Sequence, residues 1–180
     1  MNLNLQIKDI ELETFILTGK INDEELIKNL IDFVKNNKDE QLSNNTHVKG
    51  HFTGFKSLNN NKDFIKFINL IRSYILVIYK KNFKVGDAWG NLCKINEEVT
   101  EHSHWGTTAF CGILYLTDTN HYTYFREYDL SIKDEIGKFV LFHPMLLHSV
   151  PKITTDIERI TVAFNMDEIK DWDINKFKFI

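Results

Sequence analysis

Two histidines two positions apart, His102 and His104, stand in the segment Thr100-Glu101-His102-Ser103-His104-Trp105-Gly106, and an apolar run, Ile113-Leu114-Tyr115-Leu116, follows closely. A strand turns successive side chains to opposite faces, so two imidazoles at this spacing share a face. A third histidine, His148, lies in Leu146-Leu147-His148-Ser149-Val150-Pro151-Lys152. If the fold brings it to the pair, three imidazole donors converge on one point. Such a set suits iron, zinc, copper or nickel, and residue type alone does not choose among them. Arg159 then opens another apolar strand, Arg159-Ile160-Thr161-Val162-Ala163-Phe164. A guanidinium in an apolar interior requires an anion, and a carboxylate matches its fork. Thr161, two residues on, shares the face of Arg159 and offers a hydroxyl. Tyr115, on the strand after the histidine pair, is placed to reach the same carboxylate. The remaining histidines, His47, His51, His121 and His143, read as surface or satisfied core residues, with His143 the best reserve ligand.

The elements that must position these residues are legible as hydrophobic periodicity. Residues 4–20 alternate loosely, which predicts one or two strands. Asn22-Asp23-Glu24-Glu25 reads as a helix N-terminus, and Leu26, Ile27, Leu30, Ile31 and Val34 follow at helical spacing. Asn61-Lys62-Asp63 opens a second helix through Ile78, and the polar stretch between the helices has room for a short strand near residues 47–58. From Gly86 onward short runs predict strands near 87–95, 97–104, 108–117, 121–127, 138–143, 146–151, 159–166 and 174–180. This is the cadence of a β-sandwich or barrel with helices packed on one side. With 180 residues the chain fits one domain with a sizeable core. A hydrophobic content of 43% and a charged content of 26% are those of a soluble globular protein. The net charge of -3 argues against nucleic acid or an anionic membrane as partner. Cys93 and Cys111 form no CxxC pair and suit a reducing compartment. The first ten residues lack the basic and apolar regions of a secretory signal. Between Phe64 and Phe83 the most apolar stretch is interrupted by Lys66, Arg72, Lys80 and Lys81, so no membrane span is expected.

From about Trp89 to Asn165 the sequence resembles the Fe(II)- and 2-oxoglutarate-dependent dioxygenases, in particular the prolyl 4-hydroxylase-like ones. The resemblance rests on the order of short blocks: A-W-G-N at 88–91, His-x-His at 102–104, G-I-L-Y-L at 112–116, Y-T-Y-F at 122–125, G-K-F-V-L-F-H-P at 137–144, H-S-V-P-K at 148–152 and R-I-T-V-A-F-N at 159–165. The first two blocks look closest to a branch of small oxygenases of phages and marine bacteria. The resemblance implies a mainly β fold, a double-stranded β-helix (jelly-roll, cupin-like) core over residues 86–167. N-terminal strands and two supporting helices (1–85) would pack on one sheet, and residues 168–180 would form an extension. It implies Fe(II) on His102, His104 and His148. It further implies 2-oxoglutarate as cosubstrate, its far carboxylate held by Arg159, Thr161 and Tyr115, with O2 as the second cosubstrate. A C–H bond would be hydroxylated, first of all in a peptidyl proline, with a small molecule next. Trp89, Trp105 and Tyr124 would line the substrate pocket, and the setting would be the cytoplasm, the host's if a phage encodes the chain. One departure matters: the family's usual first motif is His-x-Asp or His-x-Glu, and here His104 stands at the carboxylate position. Either the site has three histidines, or the register shifts so that His104 is the first ligand and Gly106 occupies a ligand-free position, as in the family's halogenases. Two other readings keep the fold: a non-catalytic jelly-roll binding module, and a cupin-like metalloenzyme without 2-oxoglutarate. Arg159 separates them, since only the oxygenase requires a buried cation one dicarboxylate length from the metal.

Overall fold

Alternating residues near the N-terminus form an antiparallel pair, β1 (Asn4–Asp9) and β2 (Phe15–Lys20). The structure, a computed structural model, describes residues 4–9, 15–39, 46–79, 81–104 and 108–169, with backbone alone for 4–9 and 77–79. Helix α1 (Glu24–Asn36) begins at Asp23, whose Oδ1 accepts the Leu26 N–H at 3.1 Å, and Glu24 and Glu25 favour the positive end of its dipole. The other Asp23 oxygen accepts from Lys66 Nζ at 2.7 Å, tying α1 to α2 (Lys62–Tyr79). Asn61 Oδ1 caps α2 by accepting the N–H groups of Asp63 and Phe64. The strands follow: β3 (His51–Phe52), β4 (Phe83–Cys93), β5 (Val99–His102), β6 (Thr108–Tyr115), β7 (Tyr122–Phe125), β8 (Leu130–Lys133), β9 (Lys138–Phe142), β10 (His148–Val150) and β11 (Arg159–Glu168).

These strands make two antiparallel sheets, consistent with a jelly-roll core. The larger runs β1-β2-β9-β6-β11-β4-β3 and the smaller β5-β10-β7-β8. Period-two alternation along β11 divides the interior. Ile160, Val162, Phe164 and Met166 join the helical residues Leu30, Val34, Phe64 and Phe67 in one apolar cluster, and the Phe164 ring lies edge-on to Phe64 and Phe67 at 5.7 and 5.8 Å. Arg159, Thr161, Ala163 and Asn165 instead face a cavity. Cross-strand register sets their neighbours: Thr161 lies between Asn91 and Tyr115, and Ala163 between Trp89 and Ile113. Gly112 pairs with Phe164, and a β-carbon there would collide with the Phe164 ring.

The strand expected at 97–104 is shorter. It ends at His102, and the His104 N–H donates to Pro144 O at 2.8 Å in place of a ladder bond. A loop contact, not strand alternation, therefore positions His104. Strand β8 was absent from the expected set, because Leu130 and Ile132 alternate with Ser131 and Lys133 over only four residues. The strand expected at 174–180 lies outside the described residues. No described helix is long and apolar enough to cross a membrane.

Candidate metal centre and its cavity

His102 closes β5 directly opposite His148 of β10, a cross-strand pair. Their rings are 4.3 Å apart, and His104 stands 5.2 Å from His102 and 5.3 Å from His148 between ring centroids. One ligand nitrogen from each lies within 4.8 Å of the others. Hydrogen bonds fix two of the rings. His102 Nδ1 bonds Thr100 O at 2.8 Å and His148 Nδ1 bonds Leu146 O at 3.0 Å. A carbonyl only accepts, so each Nδ1 carries the proton and each Nε2 keeps its lone pair, the usual orienting device of metal-bound histidine. Burial disfavours the imidazolium at all three: His102 is lowered, His148 lies well below 6.5, and His104 falls to about 4, with His102 and His47 adding repulsion. The donor set is thus three neutral, converging nitrogens, which fits a divalent transition metal.

The cavity measures about 200 Å³. It is open near His47 and Phe55, which are exposed, and closed at Thr161 and Arg159, which are buried. An aromatic wall of Phe55, Phe52 and Trp89 leads inward, with Trp89 stacked on His104 at 6.2 Å and 18°. His47 lies flat on His102, 4.4 Å away at 3°, and its Nδ1 bonds the Thr100 hydroxyl. Asn91 and Asn165 also face the cavity; the Asn91 Oδ1 is buried with no hydrogen-bond partner, and a hydrogen bond between His104 and Asn165 partly offsets the burial that lowers the His104 pKa.

At the closed end Arg159 is 3% exposed and meets Asp134, which is fully buried. Arg159 Nε donates to Asp134 Oδ2 at 2.8 Å and Nη2 to Oδ1 at 3.1 Å. Nη2 also donates to Thr123 Oγ1 at 3.2 Å, and Thr119 Oγ1 donates to Asp134 Oδ2 at 2.7 Å. Burial alone would lower the Arg159 pKa, but Asp134 beside it more than offsets this and raises it.

No family model matches the sequence, and no curated protein is matched by it. Solved structures are matched across most of the chain. The viral collagen prolyl hydroxylase of Paramecium bursaria Chlorella virus-1, in its 2-oxoglutarate complex, is similar with a TM-score of 0.66 at 12% identity, over 84% of this chain and 96% of that one. A Pseudomonas putida prolyl-4-hydroxylase is similar with a TM-score of 0.60 at 10% identity, over 93% of each chain. The fold is that of the 2-oxoglutarate–iron oxygenases. HygX from Streptomyces hygroscopicus, with nickel, 2-oxoglutarate and hygromycin B bound, shares it at a TM-score of 0.58 and 9% identity, over 86% of this chain and 82% of that one.

On this fold the expected site residues divide. His102, His104 and His148 converge, and Trp89, Thr161 and Arg159 line the same cavity. Tyr115 is fully buried. Its hydroxyl donates to Thr123 Oγ1 at 2.8 Å, and its ring lies 5.5 Å from Arg159 Cζ. It therefore braces the arginine without lining the cavity. Tyr124, expected in the substrate pocket, is not among the residues that line this cavity. In β7 Thr123 and Phe125 point inward, so Tyr124 points outward, and its hydroxyl bonds Asp129 at 3.0 Å. Trp105 and Gly106 lie outside the described residues. Glu101 points away from the imidazoles and pairs with Arg126 at 2.8 Å. His143 is not in the cluster. Its Nδ1 accepts the Met145 N–H. Asp134, Thr123, His47, Asn91 and Asn165 were not anticipated. Period-two alternation from Phe125 could have turned Thr123 inward. Asp134, within Lys133-Asp134-Glu135, carries the signature of a solvated turn.

Proposed function

We propose that the protein is an Fe(II)- and 2-oxoglutarate-dependent dioxygenase whose iron is held by His102, His104 and His148. The observation that carries this reading is one cavity with three neutral imidazoles at its middle and a buried arginine at its closed end. A sandwich module that binds sugar or protein has no use for that combination. The inclusion of His102 in the cluster favours the three-histidine register over the shifted one. In this reading the core is a double-stranded β-helix with α1 and α2 supporting the larger sheet, all within one domain.

Bound Fe(II) supplies O2 activation coupled to decarboxylation of 2-oxoglutarate to succinate and carbon dioxide, with hydroxylation of a C–H bond. The chain's residues do the positioning. The backbone carbonyls of Thr100 and Leu146 hold the His102 and His148 tautomers. Arg159 and Thr161 orient the far carboxylate of 2-oxoglutarate, and Tyr115 and Thr123 brace the arginine. Phe52 and Trp89, both buried, shield the reacting end from water, and Phe55 stands at the mouth. The substrate we assign first is a peptidyl proline, which an apolar aromatic wall suits. A small molecule is the alternative, and the cytoplasm is the setting.

The test is turnover in air with Fe(II), 2-oxoglutarate and a proline-rich peptide. We expect succinate and a peptide heavier by one oxygen atom. Succinate without peptide modification would remove proline as substrate. Absence of succinate under all substrates would contradict the oxygenase reading.

A further inference from the structure

We propose that the cosubstrate slot is charge-balanced before any ligand enters, and that it therefore accepts 2-oxo acids with an uncharged tail as well as 2-oxoglutarate. The inference rests on the oxygenase reading and turns on Asp134. That carboxylate is fully buried behind Arg159 and takes three donors: Arg159 Nε at 2.8 Å, Arg159 Nη2 at 3.1 Å and the Thr119 hydroxyl at 2.7 Å. The remaining Nη2 hydrogen goes to Thr123. Only Nη1 takes part in none of these bonds. A ligand carboxylate at the closed end thus meets one guanidinium nitrogen and not the fork, and a second carboxylate already flanks the same cation.

Two consequences follow. A fork–fork pair, the strong form of Arg–carboxylate recognition, is used up inside the protein. The far carboxylate of 2-oxoglutarate also brings a net negative charge beside a buried cation that is already neutralised, so its desolvation is only partly offset. An uncharged tail loses little by comparison. In a slot with an unpaired arginine such a tail would leave a buried cation without a counter-ion, a severe penalty. Here Arg159 keeps Asp134. Ile113, Val150 and Ala163 line the same cavity and suit an aliphatic ligand end.

The experiment compares 2-oxoglutarate with 2-oxopentanoate, which has the same chelating end and carbon count but a methyl group in place of the far carboxylate. Each is titrated under nitrogen into Fe(II)-loaded wild-type protein, with binding read by calorimetry and by the visible charge-transfer band. We expect the two dissociation constants to agree within about tenfold, less than 1.4 kcal/mol. A larger preference for 2-oxoglutarate overturns the proposal. Asp134→Asn should widen that preference by about tenfold or more, since the ligand then becomes the counter-ion of Arg159. An unchanged or narrowed preference also overturns it. Should Asp134→Asn fail to fold, the wild-type comparison decides alone. Binding of neither acid would sink the oxygenase reading and this inference with it, a failure distinct from a large preference.

Discussion

At the scale of single residues, the proposed metal centre depends on imidazoles that are buried and therefore neutral. Nothing needs to be deprotonated before a metal binds near neutral pH. His102→Ala and His148→Ala should each strip most of the metal, measured as metal bound per chain after dialysis. His104→Asp, which restores a carboxylate at that position, should retain binding. The same burial predicts a pH dependence for the metal-free protein. The folded values lie below 6.5 and reach about 4 at His104. Over that interval the unfolded chain takes up protons that the folded chain refuses, so stability falls as pH falls from about 6.5 towards 4. Denaturation midpoints should show this, with a shallower slope in His148→Phe; an equal slope would remove His148 as a cause. Arg159 carries a different liability. Arg159→Ala leaves Asp134 buried without its cation, so we expect a loss of about 3–5 kcal/mol in stability, measured by denaturant unfolding, with metal content spared. His102, His148 and Arg159 were legible in the sequence because each is a rare chemistry-bearing residue beside an apolar strand. Asp134 was not, because what buries it is a hydrogen-bonded network with Thr119 and Arg159, residues 15 and 25 positions away.

At the scale of elements, β11 is the hinge between packing and chemistry. One face of it meets the helical cluster and the other presents Arg159 and Thr161 to the cavity. Its alternation is plain in the sequence, and so are the helices, whose caps Asp23 and Asn61 sit where apolar spacing begins. Less legible was anything set by nonlocal pairing. β8 is too short to declare itself, and His104 leaves its strand because Pro144 O, forty positions on, takes its N–H. Two substitutions test the packing account. Gly112→Ala forces a methyl group against the Phe164 ring and should cost about 1–3 kcal/mol. Asp23→Ala removes the α1 cap and its tie to Lys66 and should cost about 1 kcal/mol. Both are read from unfolding midpoints, and a neutral Gly112→Ala would contradict the close approach of the Phe164 ring to the β6 backbone at Gly112.

At the scale of the whole molecule, two antiparallel sheets enclose one cavity. The smaller sheet contributes His102 and His148, and the larger contributes Arg159, Thr161 and Trp89. The site exists only when the sheets face each other, so binding and folding are linked. A metal present at a hundredfold excess over its Kd should stabilise the protein by about 2.7 kcal/mol, seen as a rise in Tm that the histidine variants lack. If one cavity holds Fe(II) and 2-oxoglutarate together, titrating 2-oxoglutarate into Fe(II)-loaded protein under nitrogen should produce the visible metal-to-ligand charge-transfer band. We expect a saturable band that requires both components and is lost in the His102→Ala, His148→Ala double variant. A wild-type protein that binds iron yet gives no band at saturating 2-oxoglutarate, or a double variant that gives the full band, would contradict that joint binding.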